Sequence, residues 1–296
     1  MSIIQTQQLT RTYGRHRGVQ SLNLDVPQGS VYGFLGPNGA GKTTTIRVLL
    51  GFLKPSGGAA KVLGKDCWHR SRAIKHDVGY LPGDLRLYHW MTGEAALRWV
   101  GQVRRCDVIT HGRALSEEFG LDLSRRVREM SRGTRQKLGL VLAMAHQPKL
   151  LILDEPTASL DPVMQQKLHS RLRGMADKGN TVFFSSHTLS EVDRLCDRVA
   201  IVREGELVTE QPLAALRGSA GHRVMIRWRD EESANVEPPE FIKSLQREGL
   251  TWAGELDGPV DRFVSWLNDR AVDDLSIGPP DLEALFHHYY ENGGGS

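Results

Sequence analysis

Eight consecutive residues, Gly36-Pro37-Asn38-Gly39-Ala40-Gly41-Lys42-Thr43, have the types and spacing to hold a chain of phosphates. They fit the pattern G-x-x-x-x-G-K-[ST]. Glycines at 36, 39 and 41 permit a sharp turn that aims successive N–H groups into one concavity. A helix beginning at the Lys-Thr end adds the partial positive charge of its N-terminus. Lys42 is then placed to reach the β- and γ-phosphates, and the Thr43 hydroxyl to ligate Mg²⁺. Such a loop needs a strand before it and a helix after it. Val31 to Leu35 reads as a short buried strand, and Thr43 to Leu50 as the first turns of a helix.

A second chemical pair lies more than a hundred residues on. Leu150-Leu151-Ile152-Leu153 is four apolar residues in a row, as in a parallel strand buried on both faces. It ends in Asp154-Glu155. Asp154 sits where such a strand delivers a carboxylate to a Mg²⁺ shell. Glu155 points differently and can address a water. Two carboxylates at a strand end could also be solvated turn residues; the phosphate loop favours the chemical reading.

The rest of the chain reads as the scaffold these groups need. Ile3 to Leu9 and Leu22 to Val26 read as early strands, Ala59 to Leu63 and Val78 to Leu81 as later ones. From Gly93 to about Ala145 the apolar spacing is helical. Thr181 to Ser185 is another buried strand, with helices at about Val163–Met175 and Leu189–Cys196. Val199 to Val202 and Glu206 to Val208 pair across Glu204-Gly205. Gly218 to Gly221 reads as a linker. Beyond it Arg223–Arg229, Leu250–Glu255 and Asp273–Ile277 read as strands. Glu240–Arg247, Pro259–Asn268 and Asp281–Tyr290 read as helices, the last capped by Asp281. The fold class expected is α/β, with domains at 1–217 (helical lobe about 84–145) and 222–290. The tail 291–296, ending Gly-Gly-Gly-Ser, resembles an added linker and is left out of the fold.

Bulk properties narrow the function. The 296 residues are 40% hydrophobic and 25% charged, ordinary for a soluble globular chain. A net charge of +3 is too small to argue for nucleic acid. Three scattered cysteines, Cys67, Cys106 and Cys196, suit reduced thiols better than a disulfide framework. No stretch approaches 18 apolar residues, and the N-terminus has no signal-peptide pattern.

Taken together, the motifs resemble the nucleotide-binding subunit of an ATP-binding cassette (ABC) transporter. Leu150 to Asp161 is similar to the family's Walker B strand and D-loop. Met130-Ser131-Arg132-Gly133-Thr134-Arg135-Gln136-Lys137 is similar to its signature sequence. His187, after the Phe183-Phe184 strand, matches its switch histidine, and Tyr13 its adenine-stacking aromatic. Five motifs occur in the right order over roughly residues 2 to 217. The resemblance implies a P-loop NTPase cassette with a mixed sheet core and helical lobe, followed by a small C-terminal α/β accessory domain. It implies ATP and Mg²⁺ as cofactors, with Tyr13, Gly36 through Thr43, Thr44, Ser131, Gly133 and Asp161 binding nucleotide. Thr43 and Asp154 would hold the metal. Lys42, Glu155 and His187 would be catalytic. A head-to-tail homodimer would sandwich ATP between the loop of one copy and the signature of the other.

The same resemblance implies an ATPase coupled to transport, most like an exporter, peripheral on the cytoplasmic face of the membrane. A separate integral permease would carry the substrate. Leu85, Leu87, Tyr88, Trp90 and Met91 read either as lobe core or as a groove for that permease. The alternative is a soluble ABC ATPase outside transport. About ninety residues separate Gly41 from Ser131, too few for the coiled coil of DNA-repair relatives.

The chain departs from the family twice. Gly83 occupies the position of a metal-sensing glutamine, leaving water or Asp84 to take its place. Arg132 replaces the signature's first glycine. A cation there costs about 0.3–1 kcal/mol at a helix N-terminus. A facing triphosphate would offset this, and a solvated arginine is an equal alternative. His287-His288 is expected to be solvated or packed rather than metal-binding.

Overall fold

The structure is a computed structural model that describes residues 1–14, 16–219 and 221–280. The chain divides into two compact units, Met1–Gln211 and Pro212–Ser296.

The first unit is built on two sheets. In one, β1 (Ser2–Tyr13) pairs antiparallel with both β2 (His16–Pro27) and β4 (Gly57–Val62), and β4 with β5 (Lys65–Asp66). The other contains β3 (Val31–Leu35), β6 (Val78–Leu81), β7 (Leu150–Asp154), β8 (Thr181–Ser186), β9 (Arg198–Arg203) and β10 (Glu206–Pro212). Its order is β10-β9-β3-β8-β7-β6, with β9, β3, β8, β7 and β6 mutually parallel. Every residue of β3, β7 and β8 is buried, as central parallel strands covered on both faces require.

Helices α1 (Lys42–Leu49), α2 (Ser71–Asp77), α6 (Pro162–Ala176) and α7 (Leu189–Leu195) accompany these sheets. One apolar core joins Ile4, Leu22 and Val62 to Phe34, Phe183 and Ile46 of α1. Ring stacking of Tyr32 on Phe183, centroids 5.7 Å apart, sits inside it.

The helical segment comprises α3 (Gly93–Arg104), α4 (Ile109–Glu118) and α5 (Arg132–Met144). Thr92 caps α3 by accepting from the Ala95 N–H at 3.1 Å. Arg104 fastens α3 to the sheet: its guanidinium donates to the Lys75, His76 and Val78 carbonyls, each at 3.0 Å. These are carbonyls that the end of α2 leaves without helical partners.

His146 lies just beyond α5 with both ring nitrogens buried and unpartnered. Burial, and then the Arg104 cation, push its pKa down to about 4; His76 acts in the same direction, and the Val78 backbone and Asp77 oppose it. A depressed folded pKa makes stability fully present above the unfolded value and lost as pH falls towards 4. Between pH 7.5 and 5 this one group should cost about 2 kcal/mol. Denaturant unfolding at the two pH values should show that loss, and His146→Leu should flatten it.

The second unit contains α8 (Leu213–Ser219), β11 (His222–Trp228), α9 (Glu231–Ala234), β12 (Ile242–Glu248), β13 (Thr251–Leu256), α10 (Val260–Leu267) and β14 (Val272–Pro280). Its antiparallel sheet has the order β12-β13-β11-β14. Trp228, Trp252 and Phe263 form its core, and the Trp252 indole donates to the Ala234 carbonyl at 3.1 Å.

Two expectations change here. Glu240–Arg247, spaced as a helix by Phe241 and Leu245, is largely the strand β12. The open edge of β13 supplies a ladder, and a bulge at Ser244 (φ 50°) keeps both Ile242 and Leu245 against the core. Tertiary pairing overrides local periodicity. Gly218 and Ser219 continue α8 rather than form a linker. The expected helix Asp281–Tyr290, with His287-His288, lies outside the described residues.

Candidate active site

The loop between β3 and α1 takes its shape from two glycines in different ways. Gly41 has a φ of 96°, and a side chain there would also run into the Gly18 carbonyl. Gly36 is not left-handed, contrary to the reading of three dihedral-driven glycines. It must be small because a Cβ would stand 2.5 Å from the Val202 carbonyl on β9. Lys42, only 5% exposed, threads the loop. Its ammonium donates to the Gly36 and Pro37 carbonyls at 2.6 and 3.1 Å. Burial draws its pKa down, opposed by the carboxylates of Glu155 and Asp154.

Those carboxylates arrive from β7, two strands away in the sheet. Asp154 is buried, and its Oδ2 accepts from the Thr43 hydroxyl at 2.7 Å. Its Oδ1 accepts from the Ser185 hydroxyl on β8 at 2.5 Å. Glu155 has a φ of 50°, a conformation costing a non-glycine residue about 1–3 kcal/mol. Its N–H is held by the Ser185 carbonyl and hydroxyl oxygens, both at 3.2 Å. The strained turn aims the Glu155 carboxylate between two nitrogens: Lys42 Nζ at 3.5 Å and His187 Nδ1 at 3.3 Å.

Thr43, Asp154 and Glu155 line a cavity of about 530 Å³ with Arg47, Tyr80, Pro82, Gly83, Asp84 and Arg86. Burial and Asp154 push the Tyr80 phenol up to about 12. Gly83 borders Asp154 directly, since a Cβ there would lie 3.4 Å from its Oδ2. Asp84 reaches the same cavity but is largely exposed and paired with Arg86 at 2.9 Å.

Tyr13, 40% exposed, ends β1 beside the loop. A Cβ on Gly18 would fall 2.9 Å from its ring and 3.2 Å from the Thr44 methyl. Gly18, Gly41 and Gly205 converge there, tied by Gln20 N–H to Gly205 O at 2.7 Å and Gly205 N–H to Ala40 O at 3.2 Å.

Ser131, Gly133 and Asp161 do not line the cavity holding Thr43 and Asp154. Ser131 caps α5, accepting from the Thr134 N–H at 3.1 Å; Asp161 caps α6, accepting from Met164 at 2.9 Å. Arg132 is exposed at the first turn of α5. The helix α5 also braces the segment after Glu155. A Cβ on Gly133 would meet the Ser159 carbonyl at 2.6 Å, and buried Gln136 donates to the Pro156 carbonyl at 3.0 Å.

Of the apolar cluster after Pro82, Met91 is buried, whereas Tyr88 and Trp90 are exposed with rings 6.0 Å apart. Leu85 lines a groove of about 310 Å³ with Phe52, Tyr80, Val100 and Leu142. Ser185 and Gly18 carry no motif of their own, and Gln136 lies within the signature stretch without a role read for it there.

Comparison with known proteins gives concordant matches. Residues 19–158 match the family model described as ABC transporter. An uncharacterized ABC transporter ATP-binding protein of Synechocystis is 30% identical over 96% of this chain and 84% of its own length. The bacitracin transport ATP-binding protein of Bacillus licheniformis is 38% identical over 79% of this chain and 78% of its own length. Among solved structures, an ATP-binding subunit of an ABC transporter superposes with a TM-score of 0.69 and 27% identity, covering 73% of this chain and 92% of that one.

Proposed function

Because the chain belongs to the ABC transporter family, as one of its ATP-binding subunits, we propose that it hydrolyses ATP at the Lys42–Glu155–His187 site to drive an exporter. The observation that carries this reading is Glu155, held between Lys42 and His187 at 3.5 and 3.3 Å. In that position its carboxylate takes a proton from water as the water oxygen attacks the γ-phosphorus. The bond from that phosphorus to the bridging oxygen breaks, and ADP departs. Lys42 neutralises the β- and γ-phosphate oxygens, and His187 contacts the γ-phosphate and the attacking water. The loop residues from Gly36 to Thr44 hold the phosphates, and the exposed ring of Tyr13 stacks on the adenine.

The site also suits a divalent cation. Thr43 Oγ1 and Asp154 Oδ2 converge at 2.7 Å, two hard oxygen donors of the kind Mg²⁺ accepts. Bound there, Mg²⁺ would neutralise phosphate charge. Asp84, committed to Arg86, is a poor substitute for a side chain at Gly83, which favours water in that place.

Ser131, Gly133 and Asp161 stand apart from this cavity, which supports the head-to-tail arrangement. Each copy's signature would meet the ATP of the other. Among the described residues no helix is long and apolar enough to cross a membrane. As an ATP-binding subunit of that family, the chain would act with a membrane permease, docked on its cytoplasmic face. The groove at Leu85 and Phe52, beside exposed Tyr88 and Trp90, is the surface we assign to it. The similarity to a bacitracin transport subunit favours export.

Steady-state ATP hydrolysis by the chain alone and reconstituted with its membrane partner tests the reading. Turnover should depend on the partner, and Trp90→Ala should weaken that dependence. A partner-independent rate from a chain that never associates with membranes would support the soluble alternative instead.

A further inference from the structure

Resting on the assignment of Thr43 and Asp154 as cation donors, we propose that Ser185 is a positioning residue that sets both site carboxylates at once. Its side chain is fully buried, and Ser185 lies directly opposite Asp154 in the β7–β8 ladder. A serine hydroxyl has one proton and two lone pairs. The proton goes to Asp154 Oδ1 at 2.5 Å, because an ionised carboxylate only accepts. A lone pair is then free for the Glu155 N–H at 3.2 Å.

These two bonds have separate consequences. Occupying Oδ1 leaves Oδ2 as the Asp154 oxygen presented beside Thr43, so Oδ2 is the atom that would be offered to a cation. Holding the Glu155 N–H helps to keep that residue in its left-handed conformation, which directs its carboxylate at Lys42 and His187. The neighbouring serine provides a contrast. Side chains alternate along a strand, and Ser186 turns instead to Glu191 at 2.7 Å and the Thr188 N–H at 2.9 Å, both at the start of α7. Adjacent hydroxyls thus serve different elements, and of the two only that of Ser185 touches Asp154 and the Glu155 N–H. In a strand buried along its whole length, a hydroxyl is costly unless it is bonded.

The test compares Ser185→Ala and Ser185→Cys with Ser186→Ala in the full chain. The readouts are turnover against Mg²⁺ concentration, Mn²⁺ binding by electron paramagnetic resonance in the presence of ATP, and binding of a fluorescent ATP analogue in EDTA. Both Ser185 variants should raise the half-saturating Mg²⁺ concentration at least fivefold, weaken Mn²⁺ binding in parallel, and lower kcat roughly 10- to 100-fold. Their metal-free nucleotide affinity should stay within about twofold of the parent, since Lys42 and the loop are untouched. Ser186→Ala should leave the Mg²⁺ requirement unchanged. The proposal is overturned if the Ser185 variants keep the parental Mg²⁺ requirement, or if metal-free affinity falls as far as turnover. A parent chain equally active in EDTA would instead remove the cation assignment itself.

Discussion

Replacing Glu155 with glutamine is expected to lower ATP turnover by roughly 10²–10⁴-fold while ATP still binds. The amide keeps the size of the side chain but cannot take the proton from water. The backbone should hold its shape, because Ser185 fixes residue 155 through the main-chain N–H and not through the carboxylate. Lys42 loses its charged neighbour and keeps the Gly36 and Pro37 carbonyls. Uncleaved ATP should then persist between two copies, and size-exclusion chromatography with ATP and Mg²⁺ should show a dimer that the parent chain forms only transiently. A profile that stays monomeric would count against the sandwich of loop and signature.

The second large effect falls on binding instead of turnover. Lys42→Ala should weaken ATP affinity by about 10- to 150-fold, the loss corresponding to about 1.5–3 kcal/mol for a hydrogen bond to a charged group. The ammonium is already inside the loop and nearly free of water, so much of the cost of placing it is met before ATP arrives. Alanine also leaves the Glu155 carboxylate without the loop's ammonium beside it, adding repulsion towards the incoming triphosphate. Equilibrium titration with a fluorescent nucleotide measures this directly. Unchanged affinity would refute the assignment of the loop. The two substitutions therefore separate: one stalls a bound complex, and the other prevents its formation.

The parts of this molecule that were legible in its sequence share a cause. Val31–Leu35, Leu150–Asp154 and Thr181–Ser186 announce themselves because strands buried on both faces leave continuous apolar runs. The loop and the Asp154-Glu155 pair are legible because their chemistry needs fixed spacing along the chain. What was not legible is set by neighbours distant in sequence. The strand β12 has helical spacing and is decided by the open edge of β13. The small size of Gly36 answers to Val202, and that of Gly18 to Tyr13, Arg11 and Thr44. Ser185 reads in the sequence only as the last residue of a buried strand. Only the pairing of β8 with β7 puts its hydroxyl on Asp154.

The meeting of Gly18, Gly41 and Gly205 has a consequence for how this chain tolerates change. Residue 18 lies outside the loop, yet its carbonyl is the wall against which residue 41 bends. Positions far apart in the chain thus share one requirement for smallness, and relaxing it at any of them cannot be offset by the others. In a survey of random variants, damage at 18 or 205 would masquerade as a defect in the phosphate pocket. The boundary of that pocket, measured by what it forbids, reaches well beyond the residues that line it.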